Sequence, residues 1–146
     1  MKIVIAGDHA AFNVKSDIVN FLESKGISVI DLGTNSHDSV DYPVYGQMVA
    51  KHLLAGHSHR GIIICGTGIG ISIAANRFKN IRATLCSTVH DAEMARKHND
   101  SNVLALGARK TNIEKIKNII DVWLSTEFEG GRHQDRIELI DGIENE

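Results

Sequence analysis

The sequence predicts one α/β domain, residues 1–146, built on a doubly wound parallel sheet of about five strands. Three observations predict it. Short apolar runs rich in β-branched residues are bounded by Gly, Asp or Asn, as strands buried on both faces of a parallel sheet are. Between them lie segments whose apolar residues recur at helical spacing. The two kinds alternate along the chain, the pattern of right-handed βαβ crossovers. At 146 residues the chain also falls in the commonest size range for one domain.

The first run is Ile3 to Ala6. Val14, Ile18, Phe21 and Leu22 then fall at i, i+4, i+7 and i+8, with Gly26 as the helix stop. The second run is Ile27 to Leu32. Tyr45, Met48, Val49 and Leu53 form the next stripe, with Pro43 near its start and Gly56 past its end. The third run, Ile62 to Cys65, leads into a glycine-rich segment that opens a helix. The fourth, Ala83 to Cys86, precedes a helix expected to follow Thr88 and end near His98. The fifth, Val103 to Leu106, is followed by the stripe Ile113, Ile116, Ile120, Trp123 and Leu124. Thr111 with Glu114 three residues on is expected to start that helix as a capping box. A last helix is expected from about His133 to Ile143. No internal repeat, low-complexity tract or linker interrupts the series.

The composition is that of an ordinary globular protein, 42% hydrophobic and 23% charged. Sixteen basic against 18 acidic residues give a net charge of -2, which excludes a general electrostatic footprint for nucleic acid or an anionic membrane. The apolar start of the chain is too short for a secretory leader or a span, and no run of about 18 apolar residues occurs elsewhere. Cys65 and Cys86 do not form a CxxC pair, so free thiols in a reducing cytoplasmic setting are expected.

In such sheets ligands sit beyond the carboxyl ends of the strands. The residues there include Asp8-His9, Gly33-Thr34, Cys65-Gly66-Thr67, Ser87-Thr88 and Gly107-Ala108-Arg109. The most informative segment is Cys65-Gly66-Thr67-Gly68-Ile69-Gly70-Ile71-Ser72. Alternating glycines between a strand and a helix let backbone N–H groups point into a concavity, an anion hole. The segment fits neither the dinucleotide fingerprint, since the sixth position counted from Gly66 or Gly68 is isoleucine, nor a P-loop, since Gly-Lys-Ser/Thr is absent. Helix N-terminal amides favour the thiolate form of a neighbouring thiol, so Cys65 reads as a nucleophile or base, or equally as a packing residue. Cys86 reads as core. Asp8-His9 reads as a hydroxyl-binding or proton-orienting pair, or as the cap of the next helix. His98 closes a helix, where the macrodipole alone favours imidazolium, or it acts as an acid at the rim. Arg132 and Arg136, at i and i+4, share a helix face suited to phosphate or merely to solvent. His52, His57 and His59 lack a cysteine or carboxylate at metal spacing, and no metal site is assigned.

Five ordered motifs then carry a resemblance nearly end to end. They are Gly7-Asp8-His9-Ala10, Asp41-Tyr42-Pro43, Cys65-Gly66-Thr67-Gly68-Ile69-Gly70, Arg96-Lys97-His98-Asn99-Asp100 and Gly131-Arg132-His133-Gln134-Asp135-Arg136. With them the chain resembles the ribose-5-phosphate isomerase type B family of sugar-phosphate isomerases. The resemblance implies a Rossmann-like three-layer α/β/α sandwich with a five-stranded parallel sheet, and a homodimer or homotetramer whose sites are shared between subunits. It implies that Cys65 is the base that moves a proton between C1 and C2. The amides of Gly66, Thr67, Gly68, Ile69 and Gly70 are then the anion hole. Thr67 and His98 open the furanose ring, with His98 as proton donor. Asp8, His9, Tyr42 and Asn99 are substrate-binding positions, and Arg109, Arg132 and Arg136 are the phosphate clamp. No metal or organic cofactor is implied, and no nucleic-acid or membrane partner.

The activity expected from the resemblance is the interconversion of ribose 5-phosphate and ribulose 5-phosphate in the non-oxidative pentose phosphate branch. Two other readings stay open at the level of sequence. One is isomerisation of a six-carbon sugar phosphate, galactose 6-phosphate or allose 6-phosphate. The other is a flavodoxin-like binding module without catalysis.

Overall fold

A computed structural model describes residues 1–143. Five strands form one parallel sheet: β1 (Lys2–Gly7), β2 (Ser28–Asp31), β3 (Arg60–Cys65), β4 (Ala83–Leu85) and β5 (Val103–Gly107). Their order across the sheet is β2-β1-β3-β5-β4, with Ile5 beside Ile62, Gly7 beside Ile64 and Cys65 beside Gly107. The helices are α1 (Phe12–Ser24), α2 (Tyr42–Leu54), α3 (Ile69–Ala75), α4 (Val89–Asn99), α5 (Ile113–Ser125) and α6 (Arg132–Asp141). A short 3-10 turn, His9–Ala11, joins β1 to α1.

The period-2 alternation of strand side chains divides the core in two. Ile3, Ile5, Ile62, Ile64, Leu104 and Leu106 face α1, α4 and α5, where Ile18, Leu22, Ala95, Ile116, Ile120 and Trp123 are buried. Val4, Ala6, Ile63, Cys65, Val103 and Ala105 face α2 and α3, where Val49, Ala50, Ile71 and Ala75 are buried. The result is a three-layer α/β/α sandwich, as the strand–helix alternation and the resemblance imply. No helix among the described residues is long and apolar enough to cross a membrane.

Three local details differ from the sequence reading. Burial on both faces holds for the central strands β1, β3 and β5, whereas β2 and β4 lie at the sheet edges and are partly exposed. The cap of α5 is Asn112, whose Oδ1 accepts from the Lys115 N–H at 2.9 Å, while Thr111 is buried one residue earlier. Asn and Thr cap by the same geometry, and adjacent candidates are not separated by pattern. The last helix starts one residue before His133 and ends at Asp141.

Candidate active site

The chain reverses its winding between β1 and β3, because β1 leads out to β2 and the chain then returns to β3 on the opposite side of β1. A crevice at that point is where open α/β sheets hold ligands. Here it is a cleft of about 470 Å³ lined by Asp8, Tyr42, Cys65, Gly66, Thr67, Ile69, Gly70, Ile73 and Arg109. That volume lies in the usual range for small-molecule sites, roughly 300–1,000 Å³.

Each side chain arrives by a local cause. Cys65 is the last residue of β3, and its side chain is nearly buried on the α2–α3 face, leaving sulfur at the cleft floor. The Gly68 N–H donates to Cys65 Sγ at 3.1 Å, aiming an amide dipole at the sulfur. Gly68 has φ +79°, and a Cβ there would stand 2.8 Å from the Leu106 carbonyl carbon, so the loop closes on the thiol only with glycine at this position. The N–H groups of Gly66, Thr67 and Gly70 make no hydrogen bond among the described residues and are free to receive an anion. Thr67 is exposed, and its Oγ1 accepts from the Ile69 N–H at 3.2 Å. The β5 loop is tied alongside, with Ala108 N–H donating to the Cys65 carbonyl at 2.9 Å and Arg109 N–H to the Gly66 carbonyl at 3.0 Å. This holds the Arg109 guanidinium beside Gly66.

Asp8 is buried, and its Oδ1 accepts from the Ala10 N–H at 3.1 Å. It therefore caps the 3-10 turn and lines the cleft at once. His9 Nδ1 accepts from the Val40 N–H at 3.1 Å, which anchors the loop leading to Tyr42 and leaves Nε2 as the donor. Tyr42 begins α2, and its ring lies over Gly70, where a Cβ would come within 2.5 Å of the ring.

The remaining residues singled out by sequence lie elsewhere on this chain. His98 and Asn99 end α4, and Arg132 and Arg136 lie on the exposed side of α6; none lines the cleft. Asn99 borders a separate hollow with Asn76, Arg82 and Ile140. The His98 ring stacks on His133, centroids 4.4 Å apart and planes 16° apart, and His98 Nε2 is 3.9 Å from Glu129 Oε1. Burial holds the His133 pKa below the usual histidine value, with His98 and Arg132 adding to the effect. Sequence reasoning gave no role to His133 or Glu129. Their only sequence mark is nearness to the Arg132 motif, since a loop carboxylate has no periodicity to betray it. Cys86 is buried and its pKa is pushed up to about 12 by burial and by Asp91, which keeps it an inert thiol.

The chain is similar to known proteins along nearly its whole length. The Ribose/Galactose Isomerase family profile matches residues 3–140. Ribose-5-phosphate isomerase B of Escherichia coli is 50% identical over 143 residues, covering 98% of this chain and 96% of that protein. The Clostridium thermocellum ribose-5-phosphate isomerase B structure superposes with a TM-score of 0.96 at 48% identity, covering 97% of this chain and 96% of that one. The ribose-5-phosphate isomerase B of Mycoplasma genitalium, solved with bound ribulose 5-phosphate, gives a TM-score of 0.92 at 40% identity, covering 97% and 94%.

Proposed function

The chain belongs to the ribose/galactose isomerase family, and from that premise we infer that it interconverts ribose 5-phosphate and ribulose 5-phosphate. The observation that carries the reading is the Cys65 thiol on the cleft floor, faced by the Gly68 amide and ringed by unpaired N–H groups. An aldose–ketose isomerase needs a base that removes a proton from C2 and returns it to C1. It also needs donors for the oxygen that becomes negative between the two steps. Cys65 is the base in this reading, and the amides of Gly66, Thr67 and Gly70 are the donors. Such donors act most strongly where charge develops in the transition state, because they are already oriented. Arg109 takes the phosphate at the rim, and Asp8, His9 and Tyr42 hold the sugar hydroxyls.

Ring opening requires a proton donor for the ring oxygen, and His98 with Thr67 fills that role. Since His98, Asn99, Arg132 and Arg136 do not reach the cleft of their own chain, a second copy supplies them, in a dimer or a tetramer. Two surface features support that assembly. Ile69, Ile73 and Tyr42 leave apolar surface at the cleft rim, and Leu139, Ile140 and Ile143 do so at the end of the chain.

The test is conversion of ribose 5-phosphate by the purified chain, beside galactose 6-phosphate and allose 6-phosphate, with and without a chelator. Ribulose 5-phosphate formed at the highest kcat/KM, undiminished by chelator, is expected. A preference for a six-carbon substrate would contradict the substrate while leaving the chemistry in place.

A further inference from the structure

Away from the cleft, three side chains able to ligate a metal converge where α4 ends and α6 begins. His98 is in the last turn of α4, Glu129 is in the loop before α6, and His133 is in the first turn of α6. One nitrogen from each imidazole and one Glu129 oxygen all lie within 4.8 Å of one another. The backbone holds them there. The Glu129 N–H donates to the carbonyl of Lys97, next to His98, at 3.2 Å, and the His133 N–H donates to the Gly130 carbonyl at 3.1 Å. His133 is buried, which sets one donor firmly, while the His98 and Glu129 side chains are about half exposed and open the cluster to solvent. Stacking accounts for the two rings lying together. It does not account for a carboxylate delivered to the same spot by a bond to the His98 helix.

We propose that His98, Glu129 and His133 form a site for a borderline divalent cation, best matched by Zn²⁺, whose occupation withdraws His98 from ring opening. The second half rests on the role given to His98 above. Two imidazoles and one carboxylate are a donor set that zinc takes readily, with a fourth position left to water. Magnesium and calcium fit poorly, because they prefer oxygen ligands. Zinc bonds of about 2.0–2.2 Å bring tetrahedral donors to roughly 3.3–3.6 Å from one another. The cluster reaches that spacing by swinging the exposed Glu129 and turning the His98 ring out of its stack. Parallel stacked rings hold their lone pairs in parallel planes, so this turn is needed before both can face one ion. The stack it gives up is a modest interaction beside two metal–nitrogen bonds.

The experiment is a titration of the metal-free full chain with Co²⁺, followed in the visible, and with Zn²⁺, followed by turnover of ribose 5-phosphate. A visible cobalt band saturating at one ion per chain and displaced by Zn²⁺ is expected. Glu129→Gln and His133→Asn should each weaken it by more than the roughly 10–100-fold typical of losing an outer-shell partner. Glu129 is exposed, so its variant tests the site even if the His133 variant folds poorly. Zinc should suppress turnover of the unaltered chain reversibly and that of Glu129→Gln much less. No cobalt band, a band of equal strength in both variants, or a thiolate-to-cobalt charge-transfer band placing the ion on Cys65 would overturn the site. A band of the expected kind with turnover untouched by zinc would support the site and overturn the role of His98 instead.

Discussion

Gly70 is where a single hydrogen shapes the cleft. A Cβ there would stand 2.5 Å from the Tyr42 ring, closer than any tolerated contact, so the ring must leave its place. The atoms met are the far end of an exposed side chain that can swing outward, so Gly70→Ala should change stability by less than about 1 kcal/mol while raising KM for the sugar phosphate, read by urea unfolding and steady-state kinetics. Adding Tyr42→Ala should raise KM little further, because the two changes remove one contact and are not additive. Additive losses in KM would mean that the Tyr42 ring does not depend on Gly70 for its place. His98 gives a second residue-scale prediction. His98→Asn should lower turnover of cyclic ribose 5-phosphate by about 10²–10⁴-fold, the usual worth of a positioned acid, and that of an open-chain analogue far less. Equal losses on the two would contradict its part in ring opening. Of the residues named from the sequence, those at strand ends proved legible as a group, since topology alone carries Asp8, Cys65, Thr67 and Arg109 to one rim. The neighbourhood of His98 was not, because its stack on His133 joins two helices across a loop that leaves no pattern in the sequence.

At the scale of the element, helix ends decide how the rim is presented. Thr88 caps α4 by accepting from the Asp91 N–H at 3.1 Å, and Asp91 Oδ2 accepts in return from the Ser87 N–H at 3.0 Å. That backbone bond, ahead of those from the Thr88 and Ser87 side chains, lowers the Asp91 pKa below its ordinary value. A carboxyl whose folded pKa is depressed contributes stability above its unfolded pKa of about 3.9 and loses it as pH falls through the folded value. Asp91→Asn should therefore unfold at lower urea than the unaltered chain at neutral pH, with the gap narrowing as pH drops below about 4. A gap independent of pH would mean that the charge contributes nothing. The periodic elements were readable because apolar spacing sets them: every strand and the stripes of α1, α2 and α5 lie where the pattern places them. Caps were harder to read, because Ser, Thr and Asn cap by the same geometry. Thr88 takes the bond beside Ser87, as expected, whereas of the adjacent Thr111 and Asn112 it is Asn112 that does.

For the whole molecule, the sheet gathers eight of the fourteen named residues on the cleft wall and leaves His98, Asn99, Arg132 and Arg136 outside the cleft. If a second copy completes each site, two inactive variants can rescue one another. Cys65→Ala and His98→Asn, co-expressed so that chains mix at random, should give about one quarter of the intact sites of the unaltered dimer. Half of the dimers are then mixed, and each mixed dimer holds one site with both residues. Activity no greater than the sum of the two variants would mean that Cys65 and His98 act within one chain. The fold could be read from one chain because its core is built from local periodicity and strand alternation. The complete site could not, because His98, Asn99, Arg132 and Arg136 lie away from the cleft and no periodicity says which surface would meet it.

The most direct test of the account is turnover and C2-proton exchange with solvent by Cys65→Ala, measured beside its affinity for ribose 5-phosphate. Both rates should fall by about 10²–10⁴-fold or more while affinity and thermal unfolding stay close to those of the unaltered chain. A Cys65→Ala chain that still exchanges the proton at the normal rate would contradict the thiol as base and leave the cleft in need of another.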